Sequence, residues 1–229
     1  MFLKVISNPL YKRYFYAYIL IISGFVIIIL SLSNILIPEF NYYFNKLLGT
    51  KYTFVFNLQL KGEDKITLSK PYLFKNFIKR NIYLNPVDKN FSIIIEKLGV
   101  NAPVIKNVSV TNEREYFNAL KKGVAHAKGI PGKPGNTYLF AHSSLEFWKM
   151  GPYATVFNQL RKLKTGDSIY IVYKNNYFKY IVKEKFIVSG FNTSPFLQEY
   201  KKESVLTLQT CDPPGTTLNR LIIRAYLKN

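Results

Sequence analysis

From Tyr14 to Pro38 the chain reads YFYAYILIISGFVIIILSLSNILIP, without a single charged residue. About 20 apolar residues in a helix span the roughly 30 Å hydrocarbon core of a bilayer, where every backbone N–H and C=O must be paired within its own segment. The spacing therefore predicts a transmembrane helix over 14–38. Lys4, Lys12 and Arg13 precede it and Glu39 follows. That asymmetry puts residues 1–13 in the cytoplasm and the rest of the chain outside, at the cell membrane. Tyr14, Phe15, Tyr16 and Tyr18 at one border, with Phe40, Tyr42 and Tyr43 at the other, match interfacial aromatic belts. A cleaved signal peptide shares the order of basic then apolar residues. Its apolar part is shorter, however, and ends in an A-x-A-like site that is not seen here, so an uncleaved single-pass anchor is the expectation.

The chain carries 32 Lys and Arg against 13 Asp and Glu, a formal charge of +19. Such an excess attracts polyanions. With 16% aromatic residues it superficially suits a single-strand nucleic-acid binder. A domain outside the cell meets lipid headgroups and wall polyanions instead, so no nucleic-acid partner is expected. One Cys and two His exclude an internal disulfide and leave no ligand set for zinc. Neither a metal nor a cofactor is expected, and Cys211 is either buried filler or a reactive thiol.

Residues 39–90 mix aromatic residues with lysines around one strand-like run, YTFVFNLQL, and read as a stalk or membrane-proximal extension; extra elements packed onto the main domain are the alternative. From 91 to 229 the texture changes to short β-type runs divided by turn residues. FSIIIEKLGV, NAPVI and the apolar run Thr137–Ala141 are strand-like. YATVFNQLRKL has helical spacing, with Val156, Phe157, Leu160 and Leu163 on one side. SIYIVYKNNYFKYIVKEKFIV is a hairpin about Asn175–Asn176, and Ser194 is placed to cap a short helix. VLTLQTC and RLIIRAYL close the chain as two strands. The expected fold is all-β: an eight-stranded closed barrel with short helices, preceded by one membrane helix.

Three residues stand at strand ends, where side chains at a barrel rim can converge from distant positions. His142 ends TYLFAH, Cys211 ends VLTLQTC and Arg220 opens RLIIRAYL. A thiolate is the nucleophile, and an ordinary thiol is only a few per cent ionised at neutral pH. An imidazole can take its proton or donate one to a leaving group. A guanidinium can face the oxyanion that develops on an attacked amide carbonyl. Together they make an acyl-transfer set. Arg224 points to the same side of its strand as Arg220 and is the alternative arginine. Thr210, beside the thiol, either adds a hydroxyl near the oxyanion or simply packs.

TLQTC, an arginine nine positions later and a histidine about seventy positions upstream resemble the sortases, membrane-anchored cysteine transpeptidases of bacterial surfaces. The resemblance runs from about Phe91 to the C-terminus and includes GVAHAKGIPGKPGNTYLFAHSS and FNQLRKLKTGDSIYI. It implies a sortase-type barrel in which Cys211 is the nucleophile, His142 the general acid/base and Arg220 the group that positions substrate. His126 matches a non-catalytic histidine. The implied partners are surface proteins with an LPxTG-like C-terminal sorting signal and an amine acceptor, from a cell-wall precursor or a protein lysine. Ala141 replaces the glycine that many members have before the histidine, and NPVDKN is only a poor echo of the lid found in some. Phe147 and Trp148 border the groove, or pack in the core or against lipid. Two other readings are a catalytically silent basic surface-binding module and another exported cysteine peptidase or L,D-transpeptidase. The second lacks its His-Gly-Cys neighbourhood, since Gln209 and Thr210 precede Cys211.

Overall fold

The structure is a computed structural model and describes residues 9–56, 81–143, 153 and 155–228. Helix α1, Pro9–Leu47, runs beyond both ends of the expected span. Its Arg13–Leu30 window has a mean hydropathy of 2.0 and no residue buried against the protein, so it is long and apolar enough to cross a membrane. At 1.5 Å per residue, its 39 residues extend about 58 Å, nearly twice a hydrocarbon core, so one end must stand clear of it.

Strands β1 (Lys51–Phe54) and β2 (Asn81–Leu84) pair in parallel. Leu84, Tyr52, Phe54 and Phe56 pack on Ile94, Val172 and Tyr170 of the barrel. This part of the chain is therefore built onto the domain, because the alternating aromatic residues of KYTFVF need an apolar face to cover. The remainder of the YTFVFNLQL run lies outside the described residues.

The barrel consists of β3 (Phe91–Ile95), β4 (Val100–Ile105), β5 (Val124–Lys128), β6 (Gly135–Phe140), β7 (Ser168–Tyr173), β8 (Asn176–Ser189), β9 (Ser204–Asp212) and β10 (Asn219–Leu227). It closes in the order β10-β8-β7-β3-β4-β5-β6-β9. The β4/β5 and β6/β9 contacts are parallel and the others antiparallel. Side chains alternate between the two faces of each strand. Leu139 and Ala141 from the β6 chain, Leu206 and Leu208 from β9, and Leu221, Ile223 and Ala225 from β10 fill the interior. Their sequence neighbours, among them Tyr138, Cys211 and Arg220, are consequently directed outward.

Local details differ from the sequence expectations in instructive ways. The 155–163 segment is a run of three-residue turns ending in a 3₁₀ helix, Leu160–Lys162, and not an α-helix. Phe157, Leu160 and Leu163 are still fully buried, so the apolar spacing marked the inward residues while β-branched Thr155 and Val156 disfavoured regular helix. The hairpin turns on Lys174 and Asn175, with φ of 50° and 59°, one residue earlier than expected. A two-residue turn of this twist needs both central residues left-handed. Thr193, not Ser194, precedes the short helix α3, Ser194–Leu197. Helix α2, Glu113–Lys122, was not anticipated.

Candidate active site

Register pairs two of the three candidates, and the third lies close in sequence to a strand paired with theirs. On the antiparallel β9/β10 ladder Cys211 and Arg220 are direct partners, and directly opposed side chains share a face with Cβ atoms about 5 Å apart. On the other flank of β9, the parallel ladder from β6 pairs Tyr138 with Thr207 and Phe140 with Gln209. The Ala141 amide carries it onward by donating to Gln209 O at 3.2 Å. β6 ends at Phe140, and His142 follows two residues later, between Ala141 and a Ser143 whose hydroxyl reaches Cys211 O. The thiol and guanidinium thus form one row across β9 and β10, with His142 just past the end of β6 on the other flank of β9.

Each member is held by neighbours. Ser143 Oγ donates to Cys211 O at 2.8 Å, and the Gly215 amide donates to Ser143 O at 2.6 Å, tying the segment after β6 to both β9 and the turn that follows it. The Phe117 ring of α2 lies over the His142 imidazole, 5.3 Å between centroids and 33° between planes. Helix α2 begins where Asn112 Oδ1 accepts the Glu115 amide and ends at Gly123. Arg220 Nη1 donates to Thr217 O and Asn219 O at 3.1 and 3.2 Å. Gly190 leaves room for this: a Cβ there would lie 2.3 Å from Thr217 O and 3.4 Å from Arg220 Nη1.

Cys211 is half-buried, and burial raises its thiol pKa while the Arg220 charge opposes the rise. Burial lowers the pKa of His142. At neutral pH the resting pair is therefore a thiol and a neutral imidazole. His142 Nε2 is buried with no hydrogen-bond partner among the described residues, a state costing about 1–3 kcal/mol. His126 shows the contrast. Its Nδ1 accepts the Asn107 amide at 3.3 Å, its Nε2 donates to Gly129 O at 2.9 Å, and its ring packs edge-on against Phe91. That is a satisfied core histidine.

Two sequence candidates fall elsewhere. Thr210 is buried on the inward face, opposite in direction to Cys211, and its hydroxyl donates to Ala141 O at 2.9 Å. It fastens β9 to the residue before His142, and its one proton is not free for an oxyanion. Arg224 sits across from Thr207 rather than Cys211. Its guanidinium is nearly buried, bonded to Glu184 at 3.1 Å and to Gln198, and stacked on Phe186. It clamps the connection between β8 and β9. Phe147 and Trp148 lie outside the described residues. Sequence reading missed Phe117, Ser143 and Gly190. Helix α2 had a signal, Asn112 with Glu115 three residues on and Gly123 after two lysines; Ser143 and Gly190 had none. No group of acidic, Cys or His residues able to hold a metal occurs among the described residues.

A closed eight-stranded barrel with a half-buried thiol paired to an arginine, and a buried imidazole nitrogen without a partner among the described residues past the end of the neighbouring strand, holds the group types that cysteine acyl transfer needs. The Sortase domain family model matches residues 93–228, more than half of the chain, and the chain belongs to the sortase family of cysteine transpeptidases. Its structure is similar to sortase C-1 from Actinomyces oris, at 26% identity over 62% of this chain and 76% of that one, with a TM-score of 0.51. It is also similar to a Clostridium perfringens sortase D5 transpeptidase, 25% identical over 64% and 82% of the two chains, TM-score 0.50. A lid mutant of sortase A from Corynebacterium diphtheriae is 25% identical over 62% and 71%, TM-score 0.51. These relatives carry three different class letters at equal likeness. By sequence, no curated protein matches the chain.

Proposed function

We propose that the protein cleaves an LPxTG-like C-terminal sorting signal of a surface protein and transfers that protein to an amine at the outer face of the membrane. The observation that carries this reading is the direct pairing of Cys211 with Arg220 across β9 and β10, with His142 just past the end of β6 on the other flank of β9. Cys211 Sγ attacks the threonine carbonyl carbon as its proton passes to His142. The carbonyl oxygen takes the negative charge facing the Arg220 guanidinium, whose fixed donors need no reorganisation at that moment. His142 then protonates the departing amine, the C–N bond breaks and a thioester remains. An amine from a cell-wall precursor or a protein lysine attacks the thioester and gives a proton to His142. Cys211 leaves, and a new amide is formed. Water in the amine's place makes the same site a protease.

Neutral resting partners suit this order of events, because charge is created only when substrate fills the row and excludes water. Helix α1 supports placement at the membrane with the N-terminus cytoplasmic and the barrel outside, where both substrates occur. The experiment is incubation of the full chain with LPxTG-like peptides and an amine, followed by mass spectrometry. A Cys211 thioester and an amine-exchanged peptide are expected, and both are lost in Cys211→Ala and His142→Ala but retained in His126→Asn. Amine exchange without a Cys211 adduct, or surviving in Cys211→Ala, overturns the proposal.

A further inference from the structure

A second feature lies apart from the Cys211 row. The end of α1, strand β1, residues 96–101 and the 155–164 segment enclose a cleft of about 1150 Å³, and none of His142, Cys211 or Arg220 lines it. Lys46, Lys51, Lys97, Arg161, Lys162 and Lys164 border it, against Glu96 as the one acid. Three of these cations are already matched: Lys97 with Asp167 at 2.7 Å, Lys162 with Glu39 at 2.9 Å, and Arg161 with Asp212. Glu96 accepts the Phe54 amide at 2.7 Å. Lys46, Lys51 and Lys164 have no ion-pair partner among the described residues.

The depth of the cleft follows from α1. Glu39 is the first charge after the uncharged run, so its ion pair holds Lys162 at the border of the apolar segment. Beyond it the helix has two faces. Phe40, Phe44 and Leu47, at i, i+4 and i+7, are exposed, with the Phe40 and Phe44 rings stacked at 5.5 Å. Glu39, Tyr43 and Lys46 lie on the adjacent face, about 100° around the helix, where Lys162 binds Glu39 and Tyr43 and approaches the Tyr42 and Tyr43 rings. An exposed apolar stripe at the exit of a membrane helix, flanked by polar residues, belongs in the interfacial layer. Lipid phosphates occupy the same layer.

We propose that this cleft binds the phosphate headgroup of an anionic phospholipid through Lys46, Lys51 and Lys164, seating the barrel on the membrane from which its anchor emerges. The proposal rests on α1 being the membrane anchor, part of the reading above. Free phosphate shares the headgroup's chemistry but does not share its fixed depth. Near an anionic surface each lysine is worth about fivefold in apparent affinity.

The test is amide hydrogen exchange of the full chain in nanodiscs of phosphatidylcholine with rising phosphatidylglycerol. The amides of 41–52 and 155–164 should gain protection as phosphatidylglycerol is added. Each single Lys→Gln change at 46, 51 or 164 should raise the fraction needed about fivefold, the triple change should abolish the gain, and peptide transfer in detergent should be unaffected. Protection that is equal in phosphatidylcholine alone, that survives the triple change, or that inorganic phosphate reproduces without phosphatidylglycerol overturns it. Co-purification with nanodiscs is read separately. A chain that fails to co-purify overturns the anchor and this proposal together, while a co-purifying chain without the lipid effect overturns this proposal only.

Discussion

Replacing Arg220 by methionine removes the fork of donors and the charge while keeping an unbranched stem of similar length. Arg220 is the direct register partner of Cys211, and its positive charge is what opposes the burial-driven rise of the thiol pKa. Two separable effects follow. Loss of the charge leaves burial unopposed, so the thiol pKa moves further up and alkylation by iodoacetamide shifts to higher pH. Loss of the donor proposed above to face the oxyanion should cost about 10²–10³ in kcat, or about 3–4 kcal/mol of transition-state stabilisation. The KM for peptide should change less, because the interaction strengthens as charge develops. Arg220→Lys separates the two: the charge returns and the alkylation profile with it, but the planar fork does not, so kcat stays low. The assay pairs steady-state transfer of an LPxTG-like peptide with iodoacetamide rates across pH. A methionine variant whose alkylation profile stays in place or moves down, or whose kcat is within tenfold of the parent, refutes the reasoning.

Phe117→Ala uncovers His142, whose pKa is lowered by burial alone; the imidazole should titrate closer to its ordinary 6.5, followed by NMR, with about 1 kcal/mol lost from the ring pair. An unchanged or lower value would show that Phe117 does not shield it. Gly190→Ala drives a Cβ to 2.3 Å from Thr217 O, so the loop carrying the acceptors of Arg220 must shift, lowering stability by about 1–3 kcal/mol by denaturant midpoint and kcat with it. Stability should also fall in acid. The folded pKa values of His126 and His142 lie below the ordinary 6.5, so the unfolded chain binds protons first as pH drops. The histidine contribution is whole above about pH 6.5 and declines as pH falls through the window below it. His126→Asn should flatten that decline in urea titrations, and an unchanged slope would count against it.

Much of the architecture was legible because period-two alternation and turn residues are local properties. VLTLQTC and RLIIRAYL had to be strands whatever they paired with, and the uncharged run before Pro38 had to be a long apolar helix. Helix α2 was equally legible from Asn112, Glu115 and Gly123 but went unread. The turns of 155–163 mimic helical spacing, which is why their buried residues were identified and their conformation was not. Residues 51–54 and 81–84 could not be placed, since a two-strand sheet is defined by the face it covers.

By itself the sequence determined the long apolar helix, the strands of the barrel, and the chemical types available, because charge, apolar runs and a lone thiol are fixed by composition and order. It left Arg220 and Arg224 on one side of one strand and Thr210 beside the thiol. Only the tertiary register separated their places: Arg220 opposes Cys211, Arg224 is engaged with Glu184 and Gln198, and Thr210 is buried with its hydroxyl on Ala141 O. Register is a relation between strands far apart in the chain, set by how the whole barrel closes, and no local pattern encodes it.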